Sequence, residues 1–378
     1  MFIEAQKTQN KKYYSKMLET IGSLSRLFSE SNEPYIAYRV AENLFCKAFD
    51  AENLSRTDCS ADASKEKLGI GIKTFLEKNG ATMQKVAEFN SEHSLFSHLD
   101  PEKKIKKIAK MRNTRIQTTK RMFALENIIY HCVTRKPKNI LVYEVPMDEV
   151  AINKISNIKI SNGNTISFSD GKNEYSFNVA KSTLYKRFIT PSVALDLPVK
   201  ILEDPFSELE RMFATVAKKL EFAPIKKQPH IFLPLYSTRG AGKNVPEKSG
   251  LNQWNAGGRP RDPNEIYIPI PAWIHRAFPK FFPPRDTHFE LLLPNKEKME
   301  AKLCQDNSKA LMSKHNADLG KWLLREIFNL KEGELLTYEK LEEIGVDSVV
   351  IYKIGDKKYD IDFTKIGSFE EFENEKND

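Results

Sequence analysis

A polar, glycine-rich loop that runs directly into an apolar strand most constrains the fold of this 378-residue chain. Residues 249–265 carry amide side chains, a tryptophan and two arginines, and the next segment, IYIPIPAWI, has the β-branched and aromatic residues typical of a strand. A second strand-like segment, HIFLPLYS, precedes the loop, so the loop is predicted to project as a long arm between two strands. Amide and guanidinium groups pair bidentately with base edges, and glycines let the backbone approach phosphates closely. The arm therefore indicates nucleic acid as a ligand.

The composition indicates a soluble globular protein of two domains, with a polyanionic partner. Hydrophobic residues make up 40% of the chain, charged residues 29%, and the formal net charge is +8. The four cysteines, Cys46, Cys59, Cys132 and Cys304, lie far apart, which predicts reduced thiols without a zinc site or disulfide framework. No apolar run reaches the ~18 residues of a membrane span, and the N-terminus lacks the apolar core of a signal peptide. We therefore expect a cytoplasmic protein with no membrane partner.

Patterning along the chain predicts two domains joined by a helix, with a boundary near residue 229. Helical spacing of apolar residues predicts helices between residues 13 and 50 and a basic helix over 100–125, which either contacts phosphates or is a solvated face. Short strand-like segments, several joined by Asn-Gly or Asp-Gly turns, occupy most of the remainder up to residue 189. The last residues, EEFENEKND, are predicted to form a frayed acidic tail. The predicted segments are a domain at 1–205, a linker helix at 206–229 and a domain at 230–378.

The N-terminal half carries the residue types of a metal-dependent nuclease. Such an enzyme needs carboxylates to hold Mg²⁺ and often a lysine to orient or deprotonate water. Glu42 lies in a predicted helix, and Asp58 and Asp62 fall on one face of a predicted strand. Lys73 follows in a strand expected to pair with the first across the turn SKEK. The pattern predicts Glu42, Asp62 and Lys73 as catalytic residues, and Asp62 as a Mg²⁺ ligand together with Glu42 or Asp58, although Asp58 equally suits a turn or a helix cap.

This order of acidic helix, acidic strand, turn and strand lysine resembles the PD-(D/E)XK nucleases. The resemblance implies an α+β or α/β restriction-endonuclease-like domain, with a central mixed sheet and flanking helices. One position departs from the family pattern, because Gly71 stands where an acidic residue is expected two positions before the lysine. The second metal ligand is then expected from Glu42, or the next strand supplies Gln84, Lys85 or Glu88.

The C-terminal half resembles the DNA-recognition domain of NgoFVII-type restriction endonucleases, over about residues 230–365. The resemblance rests on SGLNQWNAGGRPRDPNEIYIPIPAWI and on LCQDNSKALMSKHNADLGKWLLREIFNL. It implies a β-rich pseudobarrel that holds the major groove of DNA with two arms. The arm residues expected to contact DNA are Arg239, Lys243, Asn252, Gln253, Trp254, Asn255, Arg259, Arg261 and Asn264, then Gln305, Asp306, Asn307, Lys309, Ser313, Lys314 and Asn316. Neither the HxK spacing of phospholipase D-like nucleases nor an HNH-type cluster is found, which favours a different nuclease half.

Together these patterns predict a Type II restriction endonuclease that hydrolyses double-stranded DNA at a specific sequence with Mg²⁺. Residues 1–205 would cleave and residues 230–378 would recognise the DNA. Cleavage of both strands predicts a homodimer or a DNA-induced assembly, and a cognate methyltransferase is expected as a separate protein. Three alternatives stay open, namely a non-catalytic DNA-binding regulator, a modification-dependent endonuclease and an RNA-binding protein.

Overall fold

The computed structural model shows a chain that divides into two compact units. The first unit comprises residues 1–90, 97–112 and 125–225, and the second comprises residues 91–96, 113–124 and 226–378. The segments 91–96 and 113–124 were not predicted to belong with the C-terminal half. No helix in the described part of the chain is both long and apolar enough to cross a membrane. The structure describes residues 2–54, 59–161, 163–192, 195–216, 228–238 and 242–377.

The helices before residue 217 follow the predicted pattern. Two amphipathic helices lie on either side of Pro34, as the apolar spacing predicts. The basic segment is helical, with residues 113–122 in the second unit. The predicted linker helix begins at Pro205, and residues 217–227 lie outside the described residues. These helices are α1 (Phe2–Ala5), α2 (Thr8–Ser23), α3 (Tyr38–Phe49), α4 (Pro101–Met122) and α5 (Pro205–Val216).

Among the described residues, eleven strands of the first unit form two sheets. They are β1 (Glu52–Asn53), β2 (Ala63–Lys65), β3 (Leu68–Leu76), β4 (Ala81–Glu88), β5 (Asn127–Lys136), β6 (Asn139–Pro146), β7 (Ser156–Ser161), β8 (Thr165–Ser169), β9 (Glu174–Asn178), β10 (Thr183–Ile189) and β11 (Leu195–Pro198). The six-stranded sheet has the order β1-β2-β3-β5-β6-β11, and parallel pairing of β3 with β5 makes it mixed. The five-stranded sheet is antiparallel, with the order β4-β10-β9-β8-β7. The predicted mixed α+β composition is confirmed.

Helices α2 and α3 cover one face of the six-stranded sheet. Tyr14, Phe45 and Phe49 from these helices pack with Ile70 and Ile72 of β3 in one buried cluster. Because successive side chains of a strand point to opposite faces, the glycine at 71 and the lysine at 73 lie on the other face. The hydrophobic packing of the helices therefore fixes which face of β3 carries Lys73.

The hairpin that leads to Lys73 differs in part from its prediction. Strands β2 and β3 pair across the predicted turn, with Lys65 opposite Leu68. The expected strand through residues 58–62 is wrong for residues 59–62, which precede β2 in an irregular segment. Asp58 lies outside the described residues. Asp62 is therefore placed by its hydrogen bonds rather than by strand alternation.

The second unit contains a seven-stranded, nearly closed sheet. Its strands are β12 (His230–Pro234), β13 (Ile268–Pro269), β14 (Phe289–Leu292), β15 (Lys298–Cys304), β16 (Ala310–Ser313), β17 (Val346–Gly355) and β18 (Lys358–Lys365). The order is β12-β17-β18-β14-β15-β16-β13, and the end strands β12 and β13 contact each other. Trp322, Leu323 and Phe363 lie among the buried residues that fill its core. This barrel-like sheet agrees with the predicted pseudobarrel.

Helices pack around this sheet, and the last of them corrects a prediction. They are α6 (Ala272–Ala277), α7 (Asp318–Gly320), which continues as a π-helix (Lys321–Ile327), α8 (Tyr338–Ile344) and α9 (Ser368–Asn377). The expected frayed tail is wrong, because α9 buries Phe369 and Phe372 in the core. Phe372 stacks on Phe278 at 5.6 Å between ring centroids. The acidic composition of the tail concealed this apolar pair.

Candidate functional site

Helix α3 places a buried carboxylate, Glu42, beside an arginine. Glu42 is only 5% exposed, because the same helix packs its apolar face into the core. Arg39, three residues earlier in the helix, donates from Nη1 to Glu42 Oε2 at 2.8 Å. Burial raises the pKa of Glu42, the negative charge of Asp62 raises it further, and Arg39 lowers it. Sequence patterning identified Glu42 but not Arg39.

Asp62 is fixed against strand β3 by two hydrogen bonds. Its backbone N–H donates to the Ile70 carbonyl at 2.8 Å. Its Oδ2 accepts the backbone N–H of Ile72 at 2.6 Å, one residue before Lys73. Burial raises the pKa of Asp62, whereas the Ile72 hydrogen bond and the charge of Lys73 lower it. The carboxylate is therefore held in place without an ion pair among the described residues.

Lys73 lies in the same electrostatic cluster. Its Nζ is 5.9 Å from the centroid of the Tyr130 ring, which lies on the neighbouring strand β5. Burial lowers the pKa of Lys73, and the nearby charges of Asp62 and Glu42 raise it. Each of these three groups shifts the pKa of another through its charge, so the side chains predicted as catalytic lie within electrostatic range of one another. We name Glu42, Asp62 and Lys73 the carboxylate–lysine cluster.

The two carboxylates of this cluster suit a magnesium ion. Mg²⁺ is usually bound through one or two carboxylates, with waters and substrate phosphates as the other ligands. Asp62 raises the pKa of Glu42 by charge repulsion, which a cation would relieve. Among the described residues, no group of three or more His, Cys, Asp or Glu side chains is arranged to hold a metal. Glu42 and Asp62 are the two carboxylates that such an ion would use, whereas Lys85 and Glu88 of β4 pair with each other at 2.8 Å.

The position two residues before Lys73 has little room for a side chain. A Cβ added at Gly71 would lie 2.7 Å from Met147 Cε and 3.3 Å from Tyr130 Cδ1. A side chain at this position would therefore require the flexible end of Met147 and the Tyr130 ring to shift.

We expect Gly71→Asp to destabilise the protein without improving its binding of Mg²⁺. Forcing a side chain into a packed site typically costs about 1–3 kcal/mol, and the new carboxylate would meet Met147 and Tyr130. Urea unfolding and titration calorimetry with Mg²⁺ measure the two effects, with Gly257→Asp, where an added Cβ meets nothing within 4 Å, as the control. Tighter Mg²⁺ binding at unchanged stability would show that the restored carboxylate reaches the metal.

Strand β10 contributes a buried lysine that the sequence prediction missed. Lys186 is only 5% exposed. Its Nζ lies 5.7 Å from the Tyr130 ring centroid and 5.6 Å from that of Phe188. It forms no ion pair with any described residue, and burial lowers its pKa to about 8. The alternation of Leu184, Lys186 and Phe188 was the signal of a buried face.

We expect Lys186→Met to raise the free energy of unfolding by up to about 3 kcal/mol near pH 7, because an apolar side chain replaces an unpaired buried charge. The folded pKa of about 8 lies below the ordinary lysine value of 10.5. Between these values the unfolded wild type binds more protons, so its stability rises with pH and the advantage of the variant shrinks. Urea unfolding at about pH 7 and pH 10 measures this. Lys181→Met, at an exposed site, is the control, and an equal gain at both pH values would contradict the assignment.

In the second unit, three residues predicted to contact DNA form hydrogen bonds that hold the arms in place. Asn252 is fully buried, and its amide bonds both the N–H and the carbonyl of Leu336. Ser313 is also buried, and it accepts the N–H of Leu319. Asn264 Oδ1 accepts from Arg325 Nε at 2.8 Å. These three side chains therefore support the loops.

The loop before β13 is also anchored by an ionic network. Lys243 Nζ lies 3.1 Å from Asp347 Oδ2, pairs with Glu370 and is 4.9 Å from the Tyr236 ring centroid. Arg239 lies outside the described residues. Lys243 is therefore engaged within the unit.

Other predicted residues face solvent or lie in less buried positions. Trp254 packs against the core, and Gln253, Arg261, Gln305 and Lys314 are partly exposed. The exposed ones are Asn255, Arg259, Asp306, Asn307, Lys309 and Asn316.

The second arm has an unusual backbone. Between β15 and β16, Gln305, Asn307 and Ser308 have φ values of 66°, 58° and 54°. L-residues rarely adopt this left-handed region, and such positions concentrate at ligand sites. The turn presents Asp306 and Asn307 to solvent.

Comparison with known proteins supports the assignment of the second unit. Residues 226–355, about a third of the chain, match the family model described as the NgoFVII C-terminal B3-like DNA-binding domain. The matched segment includes both arms and most of the barrel strands. No curated protein matches the chain. The match supports a restriction-enzyme type of DNA-binding domain, with double-stranded DNA as its partner.

Proposed function

We propose that this protein is a Type II restriction endonuclease that hydrolyses double-stranded DNA at a specific sequence in a Mg²⁺-dependent reaction. The observation that carries the proposal is the carboxylate–lysine cluster in a chain whose other unit matches a restriction-enzyme DNA-binding domain. The first unit would supply cleavage, and the second would supply recognition.

The cluster residues have distinct proposed roles. Glu42 and Asp62 would hold Mg²⁺, which would stabilise the negative charge that develops on the phosphate. Lys73, whose pKa burial lowers, would orient the attacking water or accept its proton. The water oxygen bonds to phosphorus while the bond from phosphorus to the leaving sugar oxygen breaks. The Ile72 hydrogen bond keeps Asp62 beside Lys73.

The same proposal extends to the assembly and the cellular partner. One cluster cuts one strand at a time, so cleavage of both strands at a site requires two copies, as a homodimer or a DNA-induced assembly. A separate methyltransferase would protect the host's own sites.

Digestion of phage and plasmid DNA, unmethylated and methylated, tests the proposal. We expect discrete fragments from unmethylated DNA with Mg²⁺ and none with EDTA. Fragments from methylated DNA alone would instead support a modification-dependent endonuclease. Tight duplex binding without cleavage of either DNA would support a non-catalytic regulator, in line with the missing acidic residue at Gly71.

A further inference from the structure

A buried carboxylate lies at the base of the first arm and gathers three of its predicted DNA-contacting side chains. Glu265 is 3% exposed and directly precedes the barrel residue Ile266. Its Oε1 accepts from Gln253 Nε2 at 2.9 Å and from Arg259 Nη2 at 2.5 Å. Arg261 Nε lies 3.5 Å from the same oxygen. One carboxylate oxygen therefore organises the polar end of the arm.

The two arginines around Glu265 differ in how much of the guanidinium group is exposed and available to a ligand. Arg261 has a side chain only 16% exposed, and its Nη1 donates to the carbonyls of Ala256 at 2.5 Å and Gly257 at 2.8 Å. Arg261 therefore holds two backbone carbonyls of its own arm. The Arg259 side chain is 53% exposed. Of the five N–H groups of a guanidinium, Arg259 uses one on Glu265 and one on the Pro260 carbonyl, which leaves three.

We propose that Glu265 is a positioning residue for DNA recognition, which fixes the guanidinium of Arg259 for bidentate pairing with a guanine at one position of the recognised sequence. Guanine offers O6 and N7 in the major groove, and two parallel N–H groups match them. This inference rests on the proposed sequence-specific recognition and names the residues that carry part of it.

Fixing the Arg259 guanidinium before DNA binds has a physical consequence for sequence specificity. A long arginine side chain loses rotamer freedom when it binds, and an anchored one has less to lose. The negative charge of Glu265 weakens general attraction to phosphates, so its benefit must appear in the choice of sequence. Its loss therefore relaxes one base position and leaves non-specific binding equal or stronger.

The test is selection of duplexes from a randomised DNA pool by the full-length protein with Ca²⁺ in place of Mg²⁺, followed by affinity measurements on selected sequences. Glu265→Gln keeps the shape of the side chain and removes its charge. We expect it to reduce the preference for guanine at one position by about 10-fold. Arg259→Ala should relax the same position, and the double variant should relax it no further, since the two residues act as one unit.

Controls separate positioning from loss of fold and from general charge. Glu247→Gln removes an exposed carboxylate from the same arm and should leave every position unchanged. Thermal unfolding verifies that each variant is folded. Equal weakening of all sequences by Glu265→Gln, or relaxation at a position other than that of Arg259→Ala, would overturn the inference while recognition stands. If the wild type enriches no sequence, the proposed recognition fails as well.

Discussion

Lys73→Met is expected to lower the rate of Mg²⁺-dependent DNA cleavage by about 10²–10⁴-fold and to leave duplex binding unchanged. Methionine keeps the apolar length of the side chain, so packing near Tyr130 is retained. What it removes is the amine, whose pKa burial lowers. Single-turnover cleavage assays measure the rate, and a filter-binding assay with Ca²⁺ measures the affinity.

Lys85→Met is the matched control for this substitution. Lys85 lies near enough for its charge to lower the pKa of Lys73, yet it is exposed and paired with Glu88. We expect its removal to change the cleavage rate by less than about threefold, as for a surface ion pair. Loss of cleavage in Lys85→Met with retention in Lys73→Met would move the reactive centre to β4 and its Glu88.

Asp347→Ala is expected to lower the free energy of unfolding of the second unit by about 3–5 kcal/mol, the typical effect of removing one member of a buried ion pair. Asp347 is fully buried, and it receives Lys243 Nζ at 3.1 Å and the Tyr338 hydroxyl at 3.0 Å. The backbone N–H of Gly367 also approaches its carboxylate, at 3.4 Å. Alanine leaves the Tyr338 hydroxyl and the Gly367 N–H without this acceptor and leaves Lys243 with Glu370 alone.

Urea unfolding followed by tryptophan fluorescence measures this loss, since the core of this unit includes Trp322. Asp356→Ala, at an exposed turn, is the control and should change stability by less than about 0.5 kcal/mol. Equal stability of the two variants would show that Asp347 is dispensable to the fold. Retained stability with weakened DNA binding would assign Asp347 and Lys243 to recognition.

Two members of the carboxylate–lysine cluster, Glu42 and Lys73, could be predicted because they lie in regular elements. Helical spacing placed Glu42 in α3, and the short turn before β3 placed Lys73 on a paired strand. Asp62 was predicted for a different reason from the one observed, since it lies outside the strand and is held by Ile72. The prediction named the right neighbours because hairpin pairing brings residue 62 beside residue 70.

Burial of polar residues was the part that the sequence did not reveal. Asn252 and Lys243 have the residue types of DNA contacts, yet one is buried and the other is paired with Asp347. Glu265 received no predicted role, although a carboxylate four residues after Arg261 is a recurrent ion-pair spacing. Contacts between residues far apart in the chain determine whether these polar side chains are buried or paired. The composition of a segment does not reveal such contacts.

The anchoring of the first arm sets a rule for transplanting it onto another barrel. Residues 249–265 form the loop of the first arm. Within it, Asn252 is hydrogen-bonded to Leu336, which lies far along the chain. Glu265 lies at the junction with the barrel, where its carboxylate contacts Arg259 and Arg261. A graft that exchanges only the exposed tip keeps both anchors and can change specificity by a few side chains. A graft that cuts between Asn264 and Glu265 separates the arginines from their carboxylate, so the cut belongs after residue 265.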